Sequence, residues 1–388
     1  MVEWFLFALL IIVIVLVVIY SSRFEKTKRM TKPKSHYLNS NSTLADHTGL
    51  LNPSDLGYDE MRENRRRRNK AFDKILKFVD APSNSKVILT SGATEGIATC
   101  MNWAKCYNPY GDVIGTTFDH ESIKDNAEVR DMKYIQIEKP EDITGNCSCI
   151  FLTHVNSKTG EILNDSLLEI SKKIHSSQFV SGDFNLSEFE KSKVVTSYPP
   201  LIFADVSQSI TKIPVSMKEM GANGLFFSLH KIGGLQGTGI LVISEPEFSK
   251  FVPLIAGAQN GGLRGGTQNE TSLIESDHCF KLCPYSPSSR ENIWNEIVDI
   301  FENDGLNVIH PKGDHLYNTI LIKTTLDCPL GIINELSRKG IYVGTASACE
   351  NERDKRSGPA YIRISFIDPT DIDIEDIKTI SNLIASTK

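Results

Sequence analysis

Cysteine is scarce, with eight in 388 residues. That excludes the disulfide scaffold of a small secreted domain. The two close pairs, Cys147/Cys149 and Cys279/Cys283, lack the spacing of a four-ligand zinc site and read as buried strand or loop residues; no metal is expected. Basic charge is also short, because the net charge is −6. Residues 1–36 hold six bases (Arg23, Lys26, Lys28, Arg29, Lys32, Lys34) and two acids. The other 36 bases and 46 acids leave residues 37–388 at −10. A body this acidic is a poor general binder of nucleic acid, whose phosphates require a basic face. Internal repeats and low-complexity tracts are absent. With 40% hydrophobic residues, 26 Gly and 16 Pro, the chain is neither collagenous nor mainly disordered.

One long apolar run is present, WFLFALLIIVIVLVVIY at residues 4–20. A helix rises about 1.5 Å per residue and the hydrocarbon core is about 30 Å thick, so the run sits at the short end for a span. Trp4 and Tyr20 suit the two interfaces. A cleaved signal peptide would want a basic segment before the run and a small-residue cleavage site after it. Here Glu3 precedes the run and no A-x-A follows. The reading is therefore a transmembrane anchor at 1–22 and a basic linker at 23–36. The bases after the span place the body on the cytosolic side and favour anionic lipid.

The body alternates between strands and helices. Residues 58–79 read as a helix, with Phe72, Ile75, Leu76 and Val79 on one stripe. The run Arg65–Arg68 on it reads as a solvated face. Short apolar runs recur at 86–90, 113–117, 133–137, 149–154, 201–205, 224–228 and 239–243. Such alternation predicts a mostly parallel sheet covered by helices. After the breaker cluster PYSPSS near 285–290 the expected order is helix 291–303, strand 318–323, helix 330–338, strand 361–366 and helix 370–386. This predicts a large domain over 37–285, with an N-terminal arm, and a smaller α+β domain over 286–388. Residues 177–200 read as an inserted surface loop.

Three segments carry the chemistry. In TSGATE (90–95) an apolar strand ends in small residues and a helix begins, which makes either an anion site or a plain N-cap. Asp205 follows the strand LIFA, where α/β sheets bind ligands, or else it caps a helix. Lys231, in SLHKIGG, follows a buried strand and is a candidate Schiff-base amine; alone it could equally be an ordinary loop lysine. Together they match the needs of a pyridoxal phosphate (PLP) enzyme: a lysine for the aldehyde, an acid for the pyridinium nitrogen and a phosphate cradle.

With TSGATE (90–95), HVN (154–156), ADVSQS (204–209), SLHKIGG (228–234), GGLRGGTQN (261–269), ASAC (346–349) and IRIS (362–365) in this order, residues 37–388 resemble the NifS/IscS-type cysteine desulfurases of the class V aminotransferase superfamily. The resemblance implies a PLP-dependent transferase of fold type I. It makes Lys231 the amine that holds PLP, with Ala93 and Thr94 on the phosphate, helped by Ser228 and His230. Asp205 would face the pyridinium nitrogen, and Gln208 and Asn156 the phenolic oxygen side. His120 would stack on the ring and shuttle protons. Thr267 would reach the phosphate of a neighbouring subunit, implying a homodimer. Arg363, with Asn156, would bind the carboxylate of L-cysteine, a task suited to a planar bidentate donor. Cys349 would take the sulfur as a persulfide and leave alanine, with a partner protein as final acceptor for iron–sulfur cluster assembly or tRNA thiolation.

The chain departs from the family at Ser157-Lys158, Leu229, Leu235-Gln236 and Ser42-Thr43-Leu44, none of them a reacting group. Only 14 positions separate Cys349 from Arg363, so a signature of the long-loop subgroup sits on a short loop. Two other readings stand beside this one. The first is a selenocysteine lyase or other class V PLP enzyme. The second is a membrane-tethered scaffold that has lost turnover, which bound PLP colour would argue against.

Overall fold

The computed structural model describes residues 58–138, 146–163, 200–244, 251–282, 287–324, 329–345, 361–366 and 372–386. The chain divides into two compact units, Met1–Arg66 and Arg67–Lys388. Of the first, only the opening turns of one helix are described.

In chain order the elements are α1 (Tyr58–Phe78), β1 (Lys86–Thr90), α2 (Ala93–Tyr107), β2 (Asp112–Thr116), α3 (Glu121–Glu128), β3 (Tyr134–Ile137), β4 (Cys147–Thr153), β5 (Leu201–Asp205), β6 (Gly224–Ser228), β7 (Gly239–Ile243) and α4 (Glu270–Glu275). After them come α5 (Pro287–Asn303), β8 (Asn307–Ile309), β9 (Thr319–Lys323), α6 (Leu330–Arg338), β10 (Tyr361–Ser365) and α7 (Ile374–Ala385). Strands β1 to β7 form one sheet in the order β1-β7-β6-β5-β4-β2-β3. The pairs β2/β3, β2/β4, β4/β5 and β5/β6 are parallel, whereas β7 runs antiparallel to both β6 and β1. A mostly parallel sheet with helices alternating between strands is what the apolar runs predict.

Both faces of this sheet are covered, which is why its strands read as continuous apolar runs rather than alternating ones. One face packs Ile150, Leu152, Ile202, Leu225 and Phe227 against Ala71, Ile75 and Val79 of α1 and its end, with Phe72 and Leu76 of the predicted stripe beside them. The other packs Phe151, Phe203 and Phe226 against Trp103 and Met101 of α2 and Ile123 of α3. Phe203 lies 5.7 Å from the Trp103 ring and 5.2 Å from that of Phe151. Phe203→Ala should cost about 3–5 kcal/mol, as fully buried aromatics do. A lower denaturant midpoint with an unchanged slope checks it.

A second core joins α5, α6 and α7 to the three-stranded sheet β10-β9-β8 through Trp294, Phe301, Ile322, Leu336, Ile362 and Ile380. Here β8 is absent from the sequence-based reading, because three residues are too few for a period. Helix α5 starts four residues early, at Pro287, where the missing N–H of a proline costs nothing in the first turn. Of the Arg65–Arg68 run, Arg65, Arg66 and Arg67 are exposed. Arg68 is half-buried and its guanidinium pairs with Glu270 at 2.6 Å.

The membrane-anchored, cytosol-facing location expected from residues 4–20 is not upheld. Those residues, the linker 23–36 and the loop 177–199 lie outside the described residues. Among the described residues no helix is long and apolar enough to cross a membrane. The longest, α1, has 21 residues, but its sequence YDEMRENRRRRNKAFDKILKF interrupts any apolar stretch with charge, and a span needs about 20 predominantly apolar residues.

Candidate active site

Strands β1, β2, β4, β5 and β6 deliver their C-terminal residues to one end of the large sheet. The registers Thr153↔Asp205, Asp205↔Phe226, Ser228↔Gly239 and Thr90↔Gly239 set that end. Asp205, Ser228 and Thr153 occupy the same face of their strands as Phe203, Phe226 and Phe151, the face that α2 covers. Strand alternation thus puts an acid and two hydroxyls on one side.

Helix α2 begins at this end with Gly92 as its cap and no side-chain cap bond. The Ala93 N–H donates to Ser228 Oγ at 2.8 Å, so β6 holds the N-terminus of α2. Gly239 allows this close approach. A Cβ there would lie 2.5 Å from the Gly92 carbonyl carbon and 2.6 Å from Thr90 Oγ1. The N-terminus is further tied by Glu95, which accepts from Ser91 N–H at 2.7 Å and from Arg264 Nε at 3.0 Å. Burial works to raise the Glu95 carboxyl, but the Arg264 and Ser91 bonds outweigh it and its pKa falls below the usual range. This pair joins TSGATE to GGLRGGTQN, 169 residues apart; sequence reading quoted both segments and missed the link.

Asp205 is 7% exposed. Burial pushes its carboxyl up, while Ser207 and the positive charges of His120 and Lys231 pull it down. Its Oδ1 accepts from Ser207 N–H at 2.9 Å. Lys231 sits on the short turn Leu229–Ile232 that continues β6; Leu229 is buried while His230 and Lys231 are exposed. Burial and the Lys231 charge lower the His230 pKa.

His120 caps α3. Its Nδ1 accepts from Ser122 N–H at 3.2 Å and lies 2.8 Å from Ser122 Oγ. With Nδ1 accepting, the proton of the neutral ring belongs on Nε2. The preceding His154 of the HVN segment donates its N–H to the Asp205 carbonyl at 3.0 Å, and burial lowers its ring pKa to about 4. Asn156 Oδ1 accepts from Lys158 N–H at 2.8 Å, which closes its turn and leaves the side-chain amide as donor. Gln208 is half-buried just beyond β5. Arg363 on β10 donates from Nη1 to the Ser157 carbonyl at 3.1 Å. It also exchanges two backbone bonds with Gly344, at 2.7 and 2.9 Å. The described chain toward Cys349 therefore stops at Thr345, beside Arg363. Cys349 lies outside the described residues. Thr267 is described and exposed, in the segment after Arg264. Ala93 is half-buried and Thr94 exposed at the start of α2.

The site thus joins Asp205, Lys231, His120, Ser228 and the α2 N-terminus, while Asn156 and Arg363 meet through Ser157. These groups fit PLP. The positive end of the α2 dipole favours a phosphate. A buried acid suits a pyridinium, and an exposed lysine faces no steric bar to an aldehyde.

The comparisons agree with this geometry. The aminotransferase class-V family model matches residues 188–277. The cysteine desulfurase IscS of Dictyoglomus turgidum is 24% identical over 318 residues, 75% of this chain and 73% of the relative. That of Buchnera aphidicola subsp. Baizongia pistaciae is 24% identical over 306 residues, 72% and 68% of the two chains. Among solved structures, a NifS-like protein superposes with TM-score 0.68 at 21% identity, covering 86% of this chain and 90% of that one. The cysteine desulfurase CsdA of Escherichia coli gives 0.64 at 17%, covering 87% and 88%; both likenesses speak to the fold. Motif order, strand-end chemistry, relatives and fold converge on one likeness, to the cysteine desulfurases and NifS-like proteins, with an aminotransferase class-V match over residues 188–277.

Proposed function

We propose that the chain converts L-cysteine to L-alanine and passes the sulfur on as a persulfide of Cys349. What supports this is the meeting, at one end of the sheet, of the buried Asp205, the Lys231 turn and the α2 N-terminus. Bound PLP would supply an electron sink that lets the α-proton of cysteine leave and weakens the bond from Cβ to sulfur.

The chain's own residues do the rest. Lys231 would hold the cofactor. Asp205 would face the ring nitrogen and keep it protonated. Ala93, Thr94, Ser228 and His230 hold the phosphate, and Gln208 and Asn156 orient the phenolic oxygen side. Arg363 and Asn156 clamp the substrate carboxylate. His120, its Nδ1 turned to Ser122, would stack on the ring and move protons. The thiolate of Cys349 attacks the substrate sulfur; an S–S bond forms as Cβ–S breaks, and a proton added at Cβ completes alanine. Residues 37–285 serve as the cofactor domain, residues 286–388 as the small domain carrying the Cys349 loop. Two copies share sites through Thr267, and an acceptor protein takes the sulfur.

Incubation of the purified full chain, loaded with PLP, with L-cysteine tests the reading. Alanine and, with a reducing agent, sulfide should appear in equal amounts. A colourless chain without alanine would restore the inactive-scaffold reading. Turnover of L-selenocysteine alone would make it a lyase. The relatives favour neither alternative.

A further inference from the structure

Asp119 is a carboxylate that the scheme above does not use. It lies in the connection between β2 and α3, next to His120. Its Oδ1 accepts from the hydroxyls of Thr116 at 2.9 Å and Thr153 at 2.6 Å, and its Oδ2 from the Tyr134 phenol at 3.1 Å. Thr116 ends β2, Tyr134 starts β3 and Thr153 ends β4. One side chain thus ties three strands together at the functional end of the sheet. The cluster fills the space above Gly115. A Cβ there would collide with Asp119 Oδ2 and the Tyr134 hydroxyl, so glycine is the residue that admits it.

The backbone of the same turn is held too. Asp119 N–H donates to the Thr116 carbonyl at 3.2 Å, and Phe118 N–H to Thr116 Oγ1 at 3.3 Å. Directly beyond, the His120 carbonyl accepts from Ile123 N–H at 2.9 Å while its Nδ1 caps the first turn of α3. The imidazole has its orientation set by the turn, and the turn has its place set by Asp119.

We propose that Asp119 is a positioning residue for His120: by gathering the hydroxyls of Thr116, Tyr134 and Thr153 it fixes the turn from which α3 presents the imidazole to the reaction. The inference rests on the role given to His120 above. Energetics point the same way. Burial pushes the Asp119 carboxyl up to about 7, with the Thr153, Thr116 and Tyr134 hydroxyls pulling it down. No cation stands among these groups, and the one other titratable member, Tyr134, is itself held protonated by burial and by Asp119. With its folded pKa above the ordinary value, this acid favours folding at low pH, and that contribution is lost as pH rises through about 7. At neutral pH the ionised carboxyl therefore opposes folding. A group that costs stability and bridges three strands beside a reacting histidine fits a functional constraint better than a structural one.

The test is a double-mutant cycle on the PLP-loaded enzyme with L-cysteine, using Asp119→Asn, His120→Ala and the pair. Asp119→Asn should lower kcat about 10- to 100-fold, the scale of an ångström-sized misplacement, with KM unchanged. The pair should be no slower than His120→Ala alone. Asp119→Asn should also melt no lower than wild type above neutral pH. In the cofactor-free protein, amides of Ser122 and Ile123 should exchange hydrogen faster, while those of α2 do not. The inference is overturned by an unchanged kcat, by the same fold loss in the His120→Ala background, or by unchanged exchange at Ser122 and Ile123. If His120→Ala alone retains full kcat, the role of His120 fails, and this arm identifies that failure separately. Should Asp119→Asn not fold, Tyr134→Phe removes one donor and keeps the ring; its smaller kcat loss must likewise vanish in the His120→Ala background.

Discussion

Replacing Lys231 with alanine removes the yellow colour of the PLP-loaded protein and abolishes turnover, while the chain stays folded. Lys231 is exposed, on a turn whose buried member is Leu229. Its side chain adds nothing to either core, and surface substitutions away from special features usually stay within about 0.5 kcal/mol. The helix N-terminus, Ser228 and Asp205 are untouched, so PLP can still enter and be held without a covalent bond. Without the lysine amine, cofactor and chain are not joined, and the colour of that linkage is gone. Turnover should fall by about four decades or more, roughly 5.6 kcal/mol of barrier at about 1.4 kcal/mol per decade. Visible absorbance, circular dichroism and alanine release read the three parts separately. Retained colour would move the amine to another lysine and undo the assignment.

Much of this site was legible because it lies where short apolar runs stop. TSGATE, ADVSQS and SLHKIGG each begin as a buried strand ends, and a strand buried on both faces is a run of four or five apolar residues that needs no partner to be seen. The face shared by Asp205 and Ser228 was not legible. It depends on the register Asp205↔Phe226 and on which helix covers which side. The Asp119 cluster was hidden for the same reason: Thr116, Tyr134 and Thr153 meet only because β2 stands between β3 and β4. A carboxylate beside His120 in a turn reads as solvated until that order is known. Glu95–Arg264 is another tertiary pair that no local pattern announces. In the small α+β region, Arg363 was found through its resemblance to a known motif, and its bond to the Ser157 carbonyl is what brings it to the HVN segment.

Cys349→Ser separates cofactor chemistry from sulfur transfer. Residues 344 and 345, the described start of the segment that carries Cys349, are pinned beside Arg363 by the Gly344 backbone pair. A serine there leaves Lys231, Asp205 and Arg363 in place, so the variant should bind PLP with normal colour and still change its spectrum when L-cysteine is added. Alanine should not follow. The attacking group must be a thiolate, and a hydroxyl of far higher pKa is a poor nucleophile toward sulfur. Losing the nucleophile should cost several tenfold steps, each about 1.4 kcal/mol. Among the described residues the other free cysteines are poor substitutes. Burial raises the thiol pKa of Cys100, Cys147, Cys149 and Cys279, which keeps them protonated at neutral pH, and Cys106 sits at the far end of α2 from the site. After a single turnover of wild type, mass spectrometry should find one extra sulfur on the peptide that contains Cys349. Alanine production near the wild-type rate in Cys349→Ser, or the extra sulfur on a different peptide, would make another cysteine the acceptor or replace the persulfide route with a lyase or transaminase one.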